Sequence, residues 1–245
     1  MPAARRPRPL FLAAAVMIVL LGSGLVLALT GGHQAGHGPN LAPGRRSPAP
    51  VDAPGTATPQ IPHVDLAGLR WGDFHGVELP SSPAAGPHDT SGGLASGFAD
   101  TPLGALLAAL NIGVRANAQW GPAIFAPTIR YQVTGADAPA LLASCQSAYN
   151  QASQAAHVTG GQPLGNAYVT EEAFRWIAYT PADATVDLVS AGPGSQGETV
   201  RAVTRVEVVW DGGDWRVIAP PGGDWGNSAG QLSSLDGYTT FPGQG

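Results

Sequence analysis

The segment TVRAVTRVEVVWDGGDWRVIA, residues 199–219, decides the fold. Val200, Ala202, Thr204, Val206, Val208 and Trp210 fall on one side of an extended chain, and Arg201, Val203, Arg205, Glu207 and Val209 on the other. Alternation of that length, rich in β-branched side chains, predicts a strand with one buried face and one amphipathic face. Asp211-Gly212-Gly213-Asp214 reads as a turn. Residues 215–219 then return antiparallel, with Trp210 and Trp215 facing each other across the hairpin. Just upstream, residues 173–180 (AFRWIAYT) are rich in aromatic and β-branched side chains, and in residues 184–190 (ATVDLVS) Val186 and Leu188 alternate with Asp187 and Val189. Both are read as further strands. After Pro220-Pro221 the chain becomes a Gly-rich tail of irregular structure, in which Trp225, Leu232, Leu235, Tyr238 and Phe241 are available to pin it down.

The period changes toward the N-terminus. Thr101-Pro102 supplies an N-cap followed by proline at the first helical position. Leu103, Leu106, Leu107, Leu110 and Val114 then recur at helical spacing, which predicts a helix ending near Gln119, before Gly121-Pro122. A second helix is expected after Asp137, with Pro139 near its start and a stripe of Leu141, Leu142, Cys145, Tyr149 and Ala152. It stops by His157, before Gly160-Gly161 and Pro163. Between them, residues 124–133 carry Ile129, Tyr131 and Val133 in alternation and are read as either a short strand or a loop. Residues 69–79 (LRWGDFHGVEL) are read as an extended segment and 80–93 as a loop. Helices first and an antiparallel meander second give an α+β domain. Helices packed on one face of a strongly curved sheet make a cone, the architecture of the cystatin-like, nuclear-transport-factor-2-like superfold.

A different signal precedes this domain. Residues 10–29, LFLAAAVMIVLLGSGLVLAL, form 20 consecutive positions without a charge. As a helix they span about 30 Å, the thickness of the hydrocarbon core. Arg5, Arg6 and Arg8 lie before them and the next basic residue is Arg45, so the positive-inside rule places the N-terminus in the cytoplasm. The alternative is a cleaved signal peptide, but the apolar run is long for one, and Ala28-Leu29-Thr30 is a poor cleavage site. The expected organisation is a cytoplasmic N-terminus (1–9), a transmembrane helix (10–29), a Pro/Gly-rich linker (30–65) and an extracytoplasmic α+β domain with a Gly-rich tail (66–245). The linker has almost no large apolar side chain and no period, so it reads as a Pro-stiffened tether. His33 and His37 stand four apart in it, without a helix to hold them as metal ligands.

Composition narrows the function classes. The 245 residues carry a formal charge of -5, which argues against a protein that binds nucleic acid by neutralising phosphates. One Cys excludes an intramolecular disulfide framework and a Cys-rich zinc site. There is no Lys, hence no phosphate-binding loop of the Gly-rich, lysine-containing type. Gly226-Asn227-Ser228-Ala229-Gly230 matches the nucleophile-elbow pattern G-x-S-x-G. That motif needs a strand before it, a helix after it and a later His, whereas the last His here is His157.

Tyr179, Asp187 and Glu207 are the candidates for acid–base chemistry in a cone pocket, and Arg201 and Arg205 for the polar rim of a binding surface. The blander reading makes the first three solvent-facing or edge residues, and gives the two arginines cross-strand charge partners. Adjacent Glu171 and Glu172 point to opposite faces if they lie in a strand, and a solvated turn is the reading adopted for them. Cys145, on an apolar stripe, reads as a small core hydrophobe. No catalytic residue, cofactor or metal is expected.

Residues 97–122, GFADTPLGALLAALNIGVRANAQWGP, followed by residues 206–226, VEVVWDGGDWRVIAPPGGDWG, carry a resemblance. The chain resembles uncharacterised membrane-anchored proteins of actinomycetes, many of which look like parts of conjugative plasmids and integrative elements. The resemblance covers about residues 66–245, and GFADTPLGALLAA and the W-DGGD-W-R-V turn are its most specific parts. The architecture is also similar to the single-span, cone-domain assembly factors of type IV secretion systems. The resemblance implies a single-pass cell-membrane protein whose external domain binds other envelope proteins, and it carries no catalytic motif. The alternatives are a small-ligand binder or enzyme using the cone's pocket, and a secreted, wall-associated protein. Oligomeric state is not legible.

Overall fold

The computed structural model describes residues 61–194 and 197–243. The expected membrane helix at 10–29, the linker up to residue 60 and its two histidines lie outside the described residues. Among the described residues no helix is long and apolar enough to cross a membrane.

The architecture is α+β. A hairpin of β1 (Arg70–Phe74) and β2 (Val77–Ser81) comes first, then α1 (Pro102–Arg115), α2 (Pro122–Gln132), the short β3 (Val133–Thr134) and α3 (Ala138–Ala156). The sheet is then built from β4 (Thr170–Tyr179), β5 (Asp183–Pro193), β6 (Thr199–Trp210), β7 (Trp215–Ile218), β8 (Ala229–Leu232) and β9 (Thr239–Thr240). Its order is β3-β7-β6-β5-β4-β9, with β8 also paired to β6. It is mixed rather than wholly antiparallel, because β3 runs parallel to β7.

The alternation read from residues 199–210 sets the core. Ala202, Thr204, Val206 and Val208 are buried beneath the helices together with Val186, Leu188 and Val217. Trp210 and Trp215 are paired across the hairpin, their rings 5.5 Å apart and edge-on at 66°. α1 begins as the sequence dictates: Thr101 Oγ1 accepts from the Gly104 amide at 3.1 Å, with Pro102 at the first helical position. It ends at Arg115, earlier than expected, and Ala118–Trp120 forms a separate 3-10 turn capped by the Asn117 side chain. From Gly104 to Arg115 every residue of α1 is buried. The leucine stripe marks only one side of a helix that β2, α2 and the sheet enclose together.

Gly104 is required by that enclosure. A Cβ there would overlap the carbonyl oxygen of Ala99. Helix propensity alone would make Gly104→Ala stabilising by about 1 kcal/mol. The backbone clash reverses the sign, and a net loss of about 1–3 kcal/mol is expected in urea denaturation.

Three other expectations are corrected. Residues 124–133 are neither strand nor loop: α2 covers nearly all of them, because Pro122 opens a helix and Phe125, Ala126, Ile129 and Gln132 recur on its buried side. The Ile129, Tyr131, Val133 alternation is incidental, and Tyr131 is exposed. The segment at 69–79 is a hairpin rather than a single extended piece. The tail is less irregular than expected, since it contributes β8 and β9 to the sheet and buries Trp225 and Phe241. α3, by contrast, matches expectation, with Leu141, Cys145 and Tyr149 buried and His157 ending it in a left-handed conformation.

Candidate functional site: a charged groove on the outer face of the sheet

Two short strands share one edge of β6. β7 pairs with residues 207–210 and β8 with residues 201–204. Between them the chain leaves the sheet through Pro220 and Pro221 and returns through the 3-10 turn Trp225–Ser228. This excursion is stiff. Trp225 Nε1 donates to the Ala116 carbonyl at 3.2 Å, Asn227 Nδ2 to the Pro221 carbonyl at 2.9 Å, and the Asp224 carboxylate accepts from the Gly226 amide at 2.8 Å. It forms one wall of a half-open groove of about 710 Å³.

The floor is the face of the sheet turned away from α1. Arg175 on β4, Asp187 on β5 and Arg205 on β6 are direct cross-strand neighbours. Asp187 is 3% exposed, and its carboxylate is clamped from both sides. Arg205 donates through Nε to Oδ1 at 2.8 Å and through Nη2 to Oδ2 at 3.2 Å, while Arg175 Nη2 donates to Oδ2 at 2.8 Å. Tyr238 from the tail lies over the Arg175 guanidinium, 4.5 Å from its centre. Glu207 and Asp137 bring negative charge to the rim, and Pro220, Pro221 and Ile218 bring apolar surface.

Burial pushes the Asp187 carboxyl up. The hydrogen bonds and charges of Arg205 and Arg175 outweigh burial, and the net position is below the ordinary carboxylate range. Both arginines are held more firmly protonated by the same bonds. A carboxylate saturated this way is a poor base, so the floor is suited to holding a charge pattern rather than to moving protons.

Of the five candidates, the structure brings Asp187, Arg205 and Glu207 together in the groove. Asp187 is buried rather than solvent-facing, because two guanidinia solvate it in place of water. Arg201 lies on the same face further along β6, where its Nε and Nη2 form a bidentate pair with Glu172 at 2.6 and 2.8 Å. Tyr179 is on the opposite face, beside Trp176, with burial and then the charge of Asp100 raising its phenol. It takes no part in the groove. Arg175 and Tyr238 were not legible as partners: the register of β4 brings Arg175 to Asp187, and the path of the tail brings Tyr238 to Arg175.

Glu171 and Glu172 lie in β4, not in a solvated turn, and they do point to opposite faces. The G-x-S-x-G stretch is the 3-10 turn followed by β8, so no helix follows the serine. Among the described residues no three His, Cys, Asp or Glu side chains are grouped to hold a metal ion.

Fold and groove together define an α+β domain that offers an open, charge-paired surface. The chain belongs to the family described as a domain of unknown function, DUF8175, which it matches over residues 34–240. No curated protein and no solved structure matches it.

Proposed function

We propose that this chain is a single-pass, membrane-anchored protein-interaction module of the cell envelope, a structural component of a conjugative DNA-transfer or similar complex. Its N-terminus lies in the cytoplasm and its domain, a cystatin/nuclear-transport-factor-2-like cone, outside. The observation that carries the reading is the state of the groove's charges. Asp187 is consumed by Arg175 and Arg205, and what remains is an open floor with both signs of charge beside aromatic and proline surface. That chemistry matches a protein segment better than a reacting substrate. The 20-residue apolar run at 10–29 supports the anchor, and the formal charge of -5 weighs against nucleic acid as the partner.

A second reading, a small-ligand site, is favoured by the groove's volume, which falls within the usual range for such pockets. Photocrosslinking in cells separates the two. A photoreactive residue at Asn227 or Glu207 is expected to capture a defined envelope protein, while one at exposed Tyr131, on α2, does not. Equal capture from both places, or none from the groove, would count against docking there. A C-terminal reporter active only in the cytosol would overturn the anchored topology.

A further inference from the structure

Glu171 is 2% exposed and lies on the core face of β4. Both of its carboxyl oxygens are 3.0 Å from the Ser190 hydroxyl on β5. A serine hydroxyl has one proton to give. An ionised carboxylate would have to share that proton between two oxygens, with no other donor bonded to it among the described residues. A protonated carboxyl resolves the geometry: its O–H donates to Oγ, and Oγ–H donates to the second oxygen. A cavity of about 10 Å³, near the minimum for one water, adjoins the pair. Its other walls are Val77, Val114, Asn117, Trp120, Ala167 and Val169.

Among the described residues no charged group acts on the pair. On α1, the Arg115 guanidinium donates to Asn111 and lies 4.3 Å from the centre of the Phe74 ring. Glu172 is on the other face of β4, paired with Arg201. Asp187 of β5 is likewise on the other face. Glu78 on β2 is exposed, and Asn117 accepts from the Gln119 amide. His75, at the β1–β2 turn, stacks on Trp120 with centroids 5.6 Å apart. Burial lifts the Glu171 carboxyl to about 7, and the Ser190 hydrogen bond offsets only part of that rise.

The cover over this site is residues 164–169 and the β1–β2 turn. Residues 164–169 are held by the Leu164 amide donating to the Gln119 carbonyl at 2.8 Å and the Ala167 amide to the His75 carbonyl at 3.0 Å. The Val77–Val169 bridge closes it, and Gly76 meets the Ala167 carbonyl so closely that a Cβ there would overlap it. An ionised Glu171 needs several hydrogen bonds from water, and the cavity has room for about one.

We propose that Glu171 and Ser190 form a buried proton-binding site that locks this cover: with the proton bound the β1–β2 turn and residues 164–169 stay closed, and loss of the proton opens them to water.

Hydrogen exchange of the full-length chain in detergent, at pH 5.5 and pH 8 and corrected for intrinsic rates, tests this. The amides of Leu164 and Ala167 are expected to lose on the order of tenfold or more in protection at pH 8. Glu171→Gln, which keeps the shape and cannot ionise, is expected to abolish the difference, and His75→Gln to leave it intact. The same loss in Glu171→Gln, or no loss in the wild type, overturns the proposal. Infrared titration of the wild type is a second readout if the variant does not fold. A protonated-carboxyl band must disappear near neutral pH; a band absent already at pH 5.5 overturns the proposal.

Discussion

Trp215→Ala is expected to destabilise the domain by about 3–5 kcal/mol, measured as the shift in urea denaturation. Trp215 is 1% exposed and does three things at once. It packs into the core beneath α1, it stacks edge-on with Trp210, and its Nε1 donates to the Ala99 carbonyl at 2.9 Å. The preceding residue acts on the same target. The Asp214 carboxylate accepts from the amides of Gly97 at 2.7 Å, Phe98 at 3.0 Å and Trp215 at 2.9 Å. The hairpin turn is thus a latch that fixes the entry to α1, more than 110 residues away in sequence. Trp215→Phe keeps most of the buried ring and loses the hydrogen bond, so about 1–2 kcal/mol is expected. Asp214→Ala combined with Trp215→Ala should cost less than the sum of the two, because both hold residues 97–99. A Trp215→Ala variant within 1 kcal/mol of wild type would mean that this latch does not hold the helix in place.

The latch explains which parts of the fold were legible. The two stretches that stand out in the sequence, GFADTPLGALLAA and W-DGGD-W-R-V, are bonded to one another in the structure. Each is distinctive locally, through an N-cap with proline in one and a turn flanked by tryptophans in the other. Nothing in either stretch signals the pairing, because hydrogen bonds between a carboxylate and remote backbone amides leave no period. β6 was readable to the residue, since its alternation runs through 12 positions and one face is buried from Ala202 to Val208. α2 was not, because Pro127 within it and the chance alternation at 129–133 masked a helical pattern. The groove was half readable. Arg205 and Glu207 stand two apart on one face of β6 and Asp187 alternates with Val186 and Leu188 on β5, but Arg175 and Tyr238 join them only through the register of β4 and the path of the tail. Glu171 was read in a solvated turn and was not placed on a face: the register shift between Glu171 and Ala173 puts it on the core side, against the parity of Phe174 and Trp176.

Asp187→Ala is expected to cost about 2–4 kcal/mol, below the value for a fully buried pair because both arginines reach solvent. The loss comes less from the missing bonds than from what is left behind, two guanidinia facing each other across the vacated position on β5. Asp187→Asn keeps the shape without the charge and should lose less. The pH dependence carries a further consequence. A carboxyl held below its ordinary range contributes stability that is present above that range and is lost only as acid titrates it in the folded state. Glu171 acts with the opposite sign: lifted from 4.5 to about 7, it favours the folded state in acid and withdraws up to roughly 3 kcal/mol as pH rises from its ordinary range to about 7. The two carboxyls sit on opposite faces of the same sheet and bracket an optimum in mildly acidic solution. Thermal denaturation across pH 3–9 should therefore show a dome. Asp187→Asn should flatten its acid side and Glu171→Gln its alkaline side, each leaving the other limb in place. A single variant that removes both limbs would show that the two sites titrate as one, against the separation that β4 and β5 impose.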